Sequence, residues 1–111
     1  MPVSPAYRAS IEEKLSEICP ISTRPMFGGL GIYAEGIFFA LADNDRLYFK
    51  VDSSNQADFE EAGMEPFYPF EGAKPMRYWE LPPAVLNQPS ELKVWVDKAI
   101  HVAERAKKKK T

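Results

Sequence analysis

The chain has 111 residues, 45% apolar and 13% aromatic, which suits one domain with one core and is too apolar for a disordered polypeptide. Its 14 Lys and Arg against 16 Asp and Glu give a net charge of −2, and without the run Lys107 to Lys110 the balance is 10 − 16 = −6, so an acidic body argues against a broad DNA-binding face unless the charges segregate in space. A single cysteine, Cys19, excludes an internal disulfide or a thiolate metal cluster, and the absence of a signal-peptide pattern or a long apolar run predicts a cytoplasmic protein with no membrane association.

Ser4 and Pro5 have the chemistry of a helix start: a capping hydroxyl, then a residue whose φ is already helical. Tyr7, Ile11, Leu15 and Ile18 fall on one stripe, predicting an amphipathic helix from about Pro5 to Ile18 that stops at Cys19-Pro20. From Ser22 to Asp52 the period changes to two. Leu30 and Ile32, then Ile37, Phe39 and Leu41, then Leu47, Phe49 and Val51 alternate with other residues, predicting three or four strands with one face on a core. Ala34-Glu35-Gly36 and Asp43-Asn44-Asp45 are short enough to make these strands antiparallel neighbours. The opposite face carries Tyr33, Phe38, Tyr48 and Lys50, unusually aromatic for a surface that only meets water, and is the candidate interaction face.

Ser53 and Gln56 have capping-box spacing, and Gly63 suits a left-handed C-terminal position, predicting a short helix over 53–62. The stretch "MEPFYPFEGAKP" at 64–75 has three prolines and reads as an edge segment or ordered loop. "MRYWEL" is then the last strand, ended by Pro82 and Pro83, with a brief turn holding Val85 and Leu86. Pro89 opens a final helix in which Leu92, Trp95, Val96, Ala99, Ile100 and Ala103 keep helical spacing, and residues 104–111 read as its frayed basic end. The order α, about four β, α, one or two β, α predicts an α+β fold with helices packed on a predominantly antiparallel sheet.

Within "RPMFGGLGIYAEG", Gly29, Gly31 and Ala34 match the G-x-G-x-x-A spacing of a dinucleotide fingerprint. That fingerprint needs a helix starting on the glycines, because the helix N-terminus supplies the amides that hold phosphate. Here β-branched and aromatic residues follow, so the glycines are expected to allow a turn, a bulge or a close backbone approach. No catalytic, metal or cofactor residues stand out. His101 is the only histidine, Cys19 reads as a small buried hydrophobe, and the pairs Glu12-Glu13 and Glu60-Glu61 diverge on their helices. Arg24, Arg77 and Glu80 are expected to meet at one sheet end, as an ion pair or an anion site.

"RPMFGGLGIY" at 24–33, "FFALADNDRLYFKVD" at 38–52, "DFEEAGMEPFYPF" at 58–70, "MRYWELPPAVL" at 76–86 and "ELKVWVDKAI" at 91–100 together resemble the TfoX N-terminal domain family, named for the bacterial TfoX/Sxy competence regulators. The resemblance covers nearly the whole of 1–111 and implies a single two-layer domain of secretion-chaperone-like architecture, with no enzyme activity and no catalytic residues. It also implies a regulatory setting, since the full-length regulators act as co-activators at competence promoters beside a cyclic-AMP-dependent activator. They carry a second, helical domain before which this chain ends, so a stand-alone N-terminal domain is expected. Two functions follow as expectations. The first is a non-enzymatic regulatory or protein-interaction domain whose partner belongs to the transcription machinery or is an activator, with homodimerisation and no specific DNA binding of its own. The alternative is a small-molecule-binding domain or enzyme with Arg24, Arg77 and Glu80 around a pocket beside the glycines.

Overall fold

The computed structural model describes residues 3–26 and 29–109, with backbone alone at 108 and 109. Its first helix, α1 (Pro5–Ser16), begins where the sequence places it: the Ser4 hydroxyl accepts the Tyr7 amide at 3.2 Å, and Pro5 occupies the first turn, where a missing N–H costs nothing. Ile11 and Leu15 are its buried residues.

Five strands follow: β1 (Ser22–Met26), β2 (Gly29–Ala34), β3 (Ile37–Asp43), β4 (Arg46–Lys50) and β5 (Tyr78–Glu80). Every neighbouring pair is antiparallel, and the order across the sheet is the order along the chain. Both central residues of each tight turn are left-handed, Glu35 and Gly36 at φ 49 and 82, Asn44 and Asp45 at φ 52 and 56. Two-residue hairpins of that hand match the twist of the strands they join.

Between β2 and β3 the register slips: Ile32 pairs with Ala40 and Tyr33 with Phe38, so Phe39 is the extra residue of a bulge. Side-chain parity reverses there. Ile37, Phe39, Ala40 and Ala42 all belong to the main core, whereas Leu41 packs on the opposite face, which breaks the expected Ile37-Phe39-Leu41 stripe.

The remaining helices are α2 (Gln56–Glu61), α3 (Pro83–Leu86) and α4 (Pro89–Lys109). Ser53 does not cap α2 as its spacing suggested. Asn55 holds the N-cap position, and its side chain instead binds the backbone at Lys50 and Asp52. At the other end Gly63, at φ 76, donates to Glu60 O and Met64 donates to Phe59 O, both at 3.0 Å, the paired bonds that close a helix through a left-handed residue. The helices cover one face of the sheet, burying Ile11, Leu15, Phe59, Val85, Leu92 and Val96 against Leu30, Ile32, Phe39 and Phe49. Phe59 meets Trp95 edge-on at 4.7 Å, and the Lys98–Asp58 ion pair at 2.8 Å joins the same two helices. Helix α4 continues as helix through Lys109, while the side chains of Lys108 and Lys109 and all of Lys110 and Thr111 lie outside the described residues.

The other face is covered in part by the chain itself. The proline-bearing segment 64–77 returns alongside β5, with Pro66 bridging Trp79 and Phe67 N donating to Tyr78 O at 2.6 Å. Phe67 and Met76 then lie on Leu41, Tyr48 and Tyr78 as a second, smaller core.

Candidate interaction surface

The alternation of β2, β3 and β4 puts Tyr33, Phe38, Tyr48 and Lys50 on the face away from the helices, as the sequence indicated, but they do not form an open patch. Tyr48 lies beneath Phe67, ring centroids 4.9 Å apart, and is only 9% exposed. The other three belong to a row across the sheet. Arg24 Cζ sits 5.3 Å over the Tyr33 ring, Tyr33 stacks on Phe38 at 5.1 Å, Phe38 meets Tyr78 at 5.4 Å, and Lys50 Nζ lies 4.8 Å from the Tyr78 centroid. Each ring therefore spends a face on a neighbour within the chain, which leaves little room for a base or an aromatic ligand to stack. Burial, followed by the nearby Tyr33 phenol, pushes the Tyr78 phenol up to about 12.

The aromatic surface that does meet solvent was missed in the sequence. Tyr68 and Phe70 are 51% and 70% exposed on the segment that packs through Phe67 and Met76. Its ends are held together, Met76 N donating to Phe67 O at 2.8 Å. The alternation Pro66-Phe67-Tyr68-Pro69-Phe70 was the available signal, since prolines stiffen the backbone that presents the rings.

Arg24, Arg77 and Glu80 do not come together. Arg24 is on β1 and Glu80 on β5, the two outer strands of the sheet, which at about 4.8 Å per strand puts them on the order of 15–20 Å apart. Glu80 pairs instead with Arg46, at 3.7 Å, because β4 and β5 run antiparallel with Tyr48 opposite Glu80. Arg77 is exposed beside a solvent-open groove of about 380 Å³. Val51, Pro66, Pro75, Met76 and Trp79 supply its apolar walls, and Asp52, Ser53, Gln56 and Arg77 its polar groups.

The glycine run is a strand, so no helix N-terminus is offered to a phosphate. Gly29 and Gly31 belong to β2, and a Cβ on Gly29 would run into the Ala42 carbonyl oxygen. Close backbone approach is therefore its role. Gly28 lies outside the described residues.

Cys19 is half-buried beside Pro20, and burial pushes its thiol up, away from the reactive thiolate. His101 is exposed and faces Glu104 at 3.5 Å. Among the described residues no group of three His, Cys, Asp or Glu could hold a metal, and no helix is long and apolar enough to cross a membrane. Strand β1 is an outer edge at which Pro25 offers a further strand no N–H.

No curated protein matches this chain. The family model described as TfoX N-terminal domain matches residues 13–103, from the last turn of α1 through most of α4, and so takes in the whole five-stranded sheet, the aromatic row and the loop bearing Tyr68 and Phe70. By that match the chain belongs to the TfoX N-terminal domain family.

Proposed function

We propose that this domain is a non-enzymatic interaction module of the bacterial competence-regulator type, working in the cytoplasm by holding a protein partner, with a second copy of itself as the first occupant. The observation that carries the reading is the exposure of Tyr68 and Phe70 on a loop pinned at its base. Aromatic rings on a stiff segment give large contact area at small entropic cost, which is why such residues dominate interface energies. Tyr33 and Phe38, half-buried on the neighbouring sheet face, would form the rim of that contact.

Sedimentation at micromolar concentration tests this. A species near twice the 12.6 kDa chain mass is expected, and Phe70→Asp should return it to one chain mass without changing the circular dichroism, because that ring contributes little to the monomer core. A wild-type monomer at every concentration would refute the dimer.

Reading DNA sequence forms no part of the proposed role. The run Lys107–Lys110 neutralises at most about four phosphates, with a salt slope of roughly −0.9 for each, against an acidic body. Any action at a promoter would then pass through the protein partner. A mobility shift at physiological salt should show little retention of the intact chain and none of a chain ending at Ala106. Sequence-selective binding that survives the truncation would contradict this.

A further inference from the structure

Beyond its role in protein contact, we infer that the groove beside β5 is a binding site for a small aromatic carboxylic acid, with Arg77 taking the carboxylate and Trp79, Met76 and Val51 the apolar body. At about 380 Å³ the groove lies at the small end of the roughly 300–1,000 Å³ usual for ligand pockets. Much of it is built before any ligand arrives. Val51 is a buried floor at 2% exposure, its amide bonded to the Arg77 carbonyl at 2.9 Å, which fixes the backbone from which the Arg77 side chain projects. Pro66 and Pro75 stiffen one wall, and Met76 supplies an adaptable thioether.

The electrostatics select the ligand's charge. Asp52 is the acidic group of the groove, yet its oxygens are already engaged. Oδ1 accepts the Ser54 amide at 2.8 Å and the Ser54 hydroxyl at 2.5 Å, and Oδ2 accepts Arg105 Nη2 at 3.1 Å. Partial burial pushes its carboxyl up, but these bonds outweigh burial and hold it below the usual range, so it stays ionised and balanced by Arg105. Gln56 gives its amide to Glu60 at 3.2 Å. Arg77 forms no ion pair among the described residues, and the Ser53 hydroxyl has no hydrogen-bond partner there. What remains for a ligand is one uncompensated guanidinium and one hydroxyl donor above apolar walls.

A planar fork of donors matches a carboxylate in two parallel bonds, whereas a phosphate would demand more cation than this groove contains. The walls then ask for an apolar body attached to that carboxylate. Because the groove is open on one side, binding should be weak, in the millimolar to high-micromolar range.

The probes are phenylpropionate and its uncharged amide, titrated into the isotopically labelled full chain while the Trp79 indole resonance, assigned with Trp79→Phe, is followed. Phenylpropionate should move that resonance saturably and the amide should bind about tenfold more weakly. Arg77→Gln should lose about tenfold for the acid and nothing for the amide, while Arg77→Lys, which keeps the charge without the fork, should fall between. The Arg77 side chain is exposed, so the variants should melt with the wild type, which separates lost binding from lost fold. Equal binding of acid and amide, indifference to Arg77→Gln, or no saturable shift would overturn the assignment. A peptide with a free C-terminal phenylalanine carries the same chemistry on a larger body, and its binding while phenylpropionate stays silent would also overturn the small-acid site.

Discussion

Replacing Asn55 with alanine tests how β4 is tied to α2. Asn55 is a polar side chain at 2% exposure, and both ends of its amide are used: Oδ1 accepts the Asp52 amide at 2.9 Å and Nδ2 donates to the Lys50 carbonyl at 3.1 Å. Alanine removes both bonds and leaves one backbone donor and one acceptor in a part-buried turn. An orphaned buried group costs about 1–3 kcal/mol, and taking the lower part of that range for each gives a loss of about 2–4 kcal/mol. At roughly 4 °C per kcal/mol for a domain of this size, the melting midpoint should fall by about 8–16 °C. Urea titration is the assay, read as a shift in midpoint at constant slope. Asn55→Asp sharpens the test. It keeps the acceptor, loses the donor and buries a charge, so it should be no better than alanine at neutral pH but should recover on acidification, where a protonated carboxyl can donate again. A loss under about 0.5 kcal/mol for Asn55→Ala would mean that water satisfies the turn and that the side chain holds nothing.

Gly29→Ala should cost about 1–3 kcal/mol because its Cβ meets the backbone oxygen of Ala42, so β2 and β3 must part to admit it. Gly31→Ala should cost less by at least about 1 kcal/mol, since its neighbours at 3.1–3.4 Å are the flexible end of Met26 and the edge of Phe38; chemical denaturation of both variants gives the comparison. Tyr7 and Tyr78 are each pushed up to about 12, chiefly by burial, so between about pH 10 and 12 the folded chain holds protons that the unfolded chain releases. Stability should therefore fall as pH rises through that window, the phenolate absorbance of these two should be delayed toward about pH 12 while the chain stays folded, and Tyr7→Phe should flatten the fall.

What the sequence made legible was local. Ser4-Pro5, Gly63 and the two hairpin turns follow from single-residue backbone preferences, and each lies where those preferences put it. The α+β arrangement of helices on an antiparallel sheet also followed, since short turns leave adjacent strands no other way to pair. The stripe on β3 failed for a definite reason: Phe39, Ala40 and Leu41 are all apolar, so nothing in the pattern marks where a bulge reverses the parity. Ser53 does not cap α2 because the N-cap position falls two residues later, at Asn55, whose buried amide binds the backbone at Lys50 and Asp52 rather than the helix, a local turn that capping spacing does not encode. Phe67 and Met76 lie on Leu41, Tyr48 and Tyr78, and the sequence could not show this, for prolines announce a loop without saying on which side of the sheet it will lie. The expected meeting of Arg24, Arg77 and Glu80 at one sheet end fails because strand order, which separates Arg24 from Glu80, is not written in either residue's neighbourhood.

The sheet whose spatial order repeats its chain order also has consequences for how quickly it can form. From β1 to β4 each pairing closes only a short connection, so the early steps need little loop-closure entropy and belong to the microsecond regime of hairpins. The exception is β5, which reaches β4 only after residues 51–77 have made their excursion through α2 and the proline-bearing segment. Its arrival, together with the docking of α4, should be the slow event in refolding. Substitutions inside the β2–β3 hairpin should then slow folding, while those in segment 64–77 should chiefly hasten unfolding.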